Sequence, residues 1–163
     1  MARPTYVGSH PSHQGVVERI DSTKQLTRSD SGKLFMCHSA SSDYAINLPQ
    51  LSVEIAGWNA TFILKGVSGA QDVQILAYGV AVDGGTGTDS NTGIALNIYT
   101  GSESVSGATT IAQNTSGTAD GMKFLAGGSQ EKGSKIEVKT DGTRWWYLGK
   151  SLGSNSTIEV LTA

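Results

Sequence analysis

Residues 135–149 read KIEVKTDGTRWWYLG, two runs of alternating apolar and polar residues on either side of Asp141-Gly142. Alternation at period two places every second side chain on one face of a β-strand. Asp-Gly suits a tight reversal because glycine reaches positive φ at little cost. The stretch predicts an antiparallel hairpin. Pairing Thr140 with Thr143 sets Val138 opposite Trp145 and Ile136 opposite Tyr147 on an inward face. Lys139 then opposes Arg144, and Glu137 opposes Trp146, on the outward face. Trp146 is a large aromatic on a charged surface, so either another molecule covers it or a loop of its own chain does.

The same alternation recurs upstream. In WNATFILKG (58–66), Trp58, Ala60, Phe62 and Leu64 share one face, and Asn59, Thr61, Ile63 and Lys65 the other. Gly57 is read as a bulge entering that strand. LTRSDSGKLFMCHS (26–39) has the polar turn Ser29-Asp30-Ser31-Gly32 between short apolar stretches. Tyr44, Ile46 and Leu48 alternate until Pro49 stops the strand. DVQILAYGVAV (72–82) and GIALNIYT (93–100) supply two more strands, with Gly79 a bulge or bend in the first. Frequent short strands and turn signals imply an all-β fold, an antiparallel β-sandwich or barrel of about eight strands.

A charged content of 16% and 21 glycines fit that class better than helices with charged faces. At 163 residues the chain is expected to hold one domain, residues 21–163, preceded by an extended arm, residues 1–20. The arm has two prolines, two histidines and no sustained apolar period, so it orders only on a partner. Long loops are expected at 83–93 and 101–121. The second is a Ser/Thr/Gly-rich excursion around one weak strand near residues 109–112.

The net charge of −2 speaks against a surface built to neutralise many phosphates, so no nucleic-acid partner is expected. No apolar run is long enough to span a bilayer and no signal-peptide h-region is visible, so no membrane partner is expected either. Three Asn-x-Ser/Thr triplets, at Asn59, Asn114 and Asn155, are discounted in so Ser/Thr-rich a chain without a signal peptide. Cys37 has no second cysteine to pair with, and His38 beside it on a strand points to the other face, which makes a poor metal site. His10 and His13 lack a third ligand. The Asp83 loop lacks the glutamate of an EF-hand. No metal or other cofactor is expected.

The chain has no G-x-S-x-G elbow, H-E-x-x-H helix or phosphate-cradling G-x-x-x-x-G-K, and its aspartates fall mainly at turns. The chain is therefore not expected to be an enzyme, with a glycosidase-like carboxylate pair as the reading left open.

Taken in order, LTRSDSGKLFMCHS, YAINLP (44–49), GWNATFILKG (57–66) and KIEVKTDGTRWWYLG resemble small β-rich structural proteins of tailed-bacteriophage virions. The resemblance covers roughly residues 22–160. It departs at Lys132-Gly133-Ser134, where such proteins often carry Gly-Asp. It implies a virion structural protein of the kind found as head decoration proteins and in tail fibres. The chain starts at Met1, is short and shows no shaft repeat, which favours a capsid decoration, or cement, protein.

Such a protein is made in the bacterial host cytoplasm, resides on the capsid surface, trimerises and bridges copies of the major capsid protein. Arg3, Tyr6, His10, His13 and Arg19 of the arm, with Trp146, are the candidate partner-binding residues. The alternative is a receptor- or carbohydrate-binding tail tip that uses Trp146, Tyr99 and the polar loops as a sugar platform.

Overall fold

A computed structural model describes residues 16–38, 42–66, 71–80, 89, 93–100, 111–125, 133–152 and 158–162. The strands are β1 (Val17–Ile20), β2 (Lys24–Gln25), β3 (Leu34–His38), β4 (Tyr44–Asn47), β5 (Asn59–Gly66) and β6 (Val73–Leu76). They continue as β7 (Gly93–Thr100), β8 (Ile111–Phe124), β9 (Lys135–Thr140), β10 (Trp145–Leu152) and β11 (Ile158–Thr162). All eleven belong to one sheet that curls into a nearly closed barrel, so the fold is all-β. Its path runs β1-β3-β5-β9-β10-β7-β8-β6-β4-β2, with β11 attached to β8.

Two expectations need correcting. Among the described residues the strand number is eleven, not about eight, because β1, β2 and β11 lack a clear run of alternating apolar residues and β8 is too polar. The sheet is mixed, not antiparallel: β1-β3, β3-β5, β2-β4, β4-β6 and β10-β7 pair in parallel. The first six strands explain why. Odd strands stack on one side and even strands on the other, so the chain winds back and forth between two walls and lays each strand beside the one two earlier. A parallel pair requires a crossover, and here the strand on the opposite wall provides it.

The winding leaves β1 and β2 at the two ends of the sheet, joined by residues 21–23. Polar contacts close the seam. The Tyr44 hydroxyl of β4 donates to the His38 carbonyl of β3 at 2.7 Å and lies 3.2 Å from that of Ile20 in β1. Glu18 of β1 accepts from both Lys24 and Lys33, and these bonds hold its carboxyl below the usual range against the opposing effect of burial. Residues 17–20 are thus a paired strand, not the end of an arm. Residues 1–15 lie outside the described residues.

The expected 101–121 loop is also corrected over its second half, since β8 runs for 14 residues from Ile111. It pairs with β7, β6 and β11. Ser, Thr and Gly give it no apolar alternation, and the ladders on its flanks supply what propensity does not. Of the expected 83–93 loop, Gly93 starts β7 and Asp89 is buried, accepting the Leu51 N–H at 2.7 Å.

Inward residues fill the barrel. Phe35 of β3 stacks on Phe62 of β5 at 5.2 Å between ring centroids, and Ile136 lies beside Phe62 in register. Trp58 meets Trp145 edge to face at 5.5 Å, and its indole N–H donates to Thr27 O at 3.1 Å. Both faces of β6 are buried, which suits its continuous apolar character apart from Gln74.

At Gly121 the backbone of β8 comes so close to β6 that a Cβ would stand 2.2 Å from the Ile75 carbonyl oxygen. Neither partner can move without breaking its ladder. Gly121→Ala is expected to destabilise the fold by about 2–3 kcal/mol. Urea melts read by tryptophan fluorescence check it, and an unchanged midpoint would show that β6 and β8 are not in this register.

Candidate interaction face

The hairpin of β9 and β10 forms as expected, but its register is two residues wider. Thr140 pairs with Trp145, Lys139 with Trp146 and Val138 with Tyr147, leaving four residues, Asp141 to Arg144, in the connection. The cause is the Asp141 carboxylate. Its Oδ1 accepts the Thr143 N–H at 2.8 Å, the Thr143 hydroxyl at 2.7 Å and the Arg144 N–H at 2.8 Å. Those bonds organise a broader loop in which Gly142 takes positive φ, at 91°. Because the shift is even, no side chain changes face: Trp145 and Tyr147 stay inside and Trp146 stays outside.

The same bonds, those of the Thr143 side chain first, hold the Asp141 carboxyl down to about 2, and the Trp146 indole contributes to the effect. Trp146 is 45% exposed, and Leu148, two residues further along the same face, is 36% exposed.

Register extends this face across the wall. Trp146 stands beside Ile94 of β7 and Lys139 of β9, and Lys139 beside Asn59 of β5. Leu148 stands beside Glu137, and Glu137 beside Thr61 and then Leu34. Lys150 stands beside Lys135, and Lys135 beside Ile63 and then Met36. Half-buried apolar side chains therefore alternate with polar and cationic ones over the outward surface of this wall.

Of the residues singled out from the sequence, Trp146 lies on this face, in the row next to the hairpin connection. Arg19 lies at its margin on β1, exposed and 3.1 Å from Asp21. Arg3, Tyr6, His10 and His13 lie outside the described residues, as does the side chain of Tyr99. His38 is half-buried on the outward side of β3. Burial first, then the charges of Arg19 and Lys65, hold its imidazole below the ordinary value. Cys37, facing inward beside it, is free and fully buried, and burial pushes its thiol far up. Met36, Ile94 and Leu148 were not identified from the sequence, because each is apolar on a strand whose outward neighbours are set by non-local register.

Two other places bear polar groups. Tyr147 is buried, its hydroxyl has no hydrogen-bond partner among the described residues, and burial followed by the charges of Asp120 and Asp89 raises its pKa well above the ordinary value. A shallow depression of about 200 Å³ is lined by Arg28, Ser31, Glu54, Ile55, Ala56, Gly57 and Trp58. Its titratable residues, Arg28 and Glu54, form an exposed pair at 3.8 Å. Among the described residues no three His, Cys, Asp or Glu side chains gather as a metal site, and no helix is long and apolar enough to cross a membrane.

No protein-family model, curated protein or solved structure matches the chain.

The depressed Asp141 pKa has a defined signature. The folded value lies below the ordinary 3.8, so the loop's contribution to stability is fully present above about pH 4 and is lost as pH falls towards about 2. Asp141→Ala is expected to melt at a lower temperature than the native chain at pH 6, with the gap closing between pH 4 and 2. A gap of constant size across that window would show that the carboxylate's charge is not what organises the loop.

Proposed function

We propose that this chain is a structural protein of a tailed-bacteriophage virion, a decoration or cement protein. In this reading it binds the outer surface of the head and stabilises it by bridging major capsid protein subunits. It is made in the host cytoplasm, trimerises and works by contact, not by turnover. The observation that carries the reading is the outward face around Trp146, an apolar and cationic surface on a stiff barrel wall, of the kind that becomes buried when proteins associate.

The pieces behind the family resemblance add support, because each of them coincides with an element that builds this wall or its seam. LTRSDSGKLFMCHS leads into β3, YAINLP forms β4, GWNATFILKG forms β5, and the last is the β9-β10 hairpin. Several modest contacts made by a trimer acting together would give such a protein its hold on a shell.

A second reading, a receptor- or carbohydrate-binding tail tip, is favoured by the same exposed Trp146 ring, since an aromatic face stacks on a sugar as readily as on a protein.

Co-sedimentation separates the two. Purified chain is mixed with mature and with expanded empty shells of the parent phage, and the shells are pelleted. The measurement is repeated with a chain lacking residues 1–15, which leaves β1 intact. Binding that saturates at a fixed ratio is expected, weakened if the leading segment contributes. Binding to host cells with none to either shell would overturn the capsid reading and put the tail tip in its place.

A further inference from the structure

The charges of the described residues are distributed unevenly. Six carboxylates outside the hairpin wall are held in ion pairs: Glu18 and Asp30 with lysines 24 and 33, Asp21 with Arg19, Glu54 with Arg28, and Asp72 and Glu159 with Lys123. Asp89 and Asp120 are buried. Four cations, Lys65, Lys139, Arg144 and Lys150, make no ion pair, and all four are exposed at outward positions of β5, β9 and the hairpin. Two carboxylates lie among them: Glu137 is paired with Lys135, and Asp141 accepts the Thr143 and Arg144 N–H groups and the Thr143 hydroxyl. Lys139 stands directly beside Trp146, and Leu148 lies between Trp146 and Lys150 along β10. Of this unpaired positive charge, Lys139 and Arg144 flank the large exposed aromatic, Lys150 lies four residues along β10, and Lys65 lies at the far end of β5.

We propose that the outward face of β5, β9 and β10 docks an acidic protein surface on a different molecule, with the four cations meeting its carboxylates and Trp146 and Leu148 burying against its apolar part. Charge complementarity selects the occupant. An isologous contact with a second copy would set the same cations against each other. A contact with another side of a copy would meet carboxylates already occupied in the pairs above, with Asp43 the exposed exception among the described residues. Nucleic acid would use the cations but leave Leu148, Ile63 and Ile94 facing phosphates. The inference stands apart from the capsid reading, because it concerns the chemistry of the partner and not its place in a particle.

The test measures binding of the full chain to an immobilised random copolymer of glutamate and tyrosine, which presents carboxylates and aromatic rings on a polypeptide. Oligo(dT) and hyaluronate serve as polyanions of other classes. The native chain is expected to prefer the copolymer and to lose about tenfold or more in affinity between 50 and 500 mM salt. Lys139→Glu/Arg144→Glu/Lys150→Glu is expected to weaken binding about tenfold or more, with the sedimentation coefficient unchanged. Trp146→Ala is expected to weaken it severalfold at either salt concentration. The substituted positions are exposed, and the melting curve of each variant checks its fold, with Arg144→Glu alone in reserve.

No binding of the copolymer, equal binding by the charge-reversed chain, or tighter binding of oligo(dT) or hyaluronate would overturn the proposal. A changed oligomeric state in the charge-reversed chain would do so as well, assigning the face to contacts between copies. Copolymer binding without shell binding would sink the capsid reading and leave this one standing.

Discussion

Trp58 and Trp145 meet edge to face at the point where the two halves of the chain join, and most of the wall depends on that contact. Trp58 ends the approach to β5, the last odd strand of the winding half, and Trp145 opens β10. Around the ring pair, the Gly57 N–H donates to Thr140 O at 2.9 Å and the Thr140 N–H to Trp58 O at 3.1 Å. The Trp58 indole N–H reaches back to Thr27 O. An aromatic pair of this geometry contributes about 0.5–1.5 kcal/mol beyond the area it buries. Its larger effect is to set the antiparallel hairpin against a parallel stack in one register, so that inward and outward residues of β5, β9 and β10 stay in phase.

From that phase follows the outward face. With Phe62, Val138, Trp145 and Tyr147 committed to the interior, Thr61, Lys139, Trp146 and Leu148 have no choice of side. The face is rigid because each strand beneath it is paired on both edges from β3 to β7. A side chain held on such a wall has little backbone freedom left to lose on binding, which is the condition under which modest contacts add up to a stable association.

The barrel's interior holds a different kind of polar group. Asp89, Asp120 and Tyr147 are buried together with the apolar core, and the electrostatic influence of the two carboxylates on the tyrosine places them in one neighbourhood. Asp89 is raised by burial and partly relieved by the Leu51 N–H, which ties the segment before β7 to the segment after β4. A loop composition rich in Gly, Thr and Asp gives no hint of this, because burial of an aspartate depends on what arrives around it from elsewhere in the chain.

Local alternation determined a good deal by itself: the all-β class, the hairpin at 135–149, and the inward and outward sets of residues 58–66 and 135–149. These follow from the two-residue period of a strand, which involves no partner. The side of Trp146 survived an error in register because the Asp141 loop widened the hairpin by an even number of residues. Parallel pairing, the alternation of strands between two walls, β1 inside the expected arm and β8 inside the expected loop were decided only in the tertiary structure. Each depends on which distant strand supplies hydrogen bonds to an edge. Backbone N–H and C=O groups are the same at every residue, so the side chains of one segment do not name that partner.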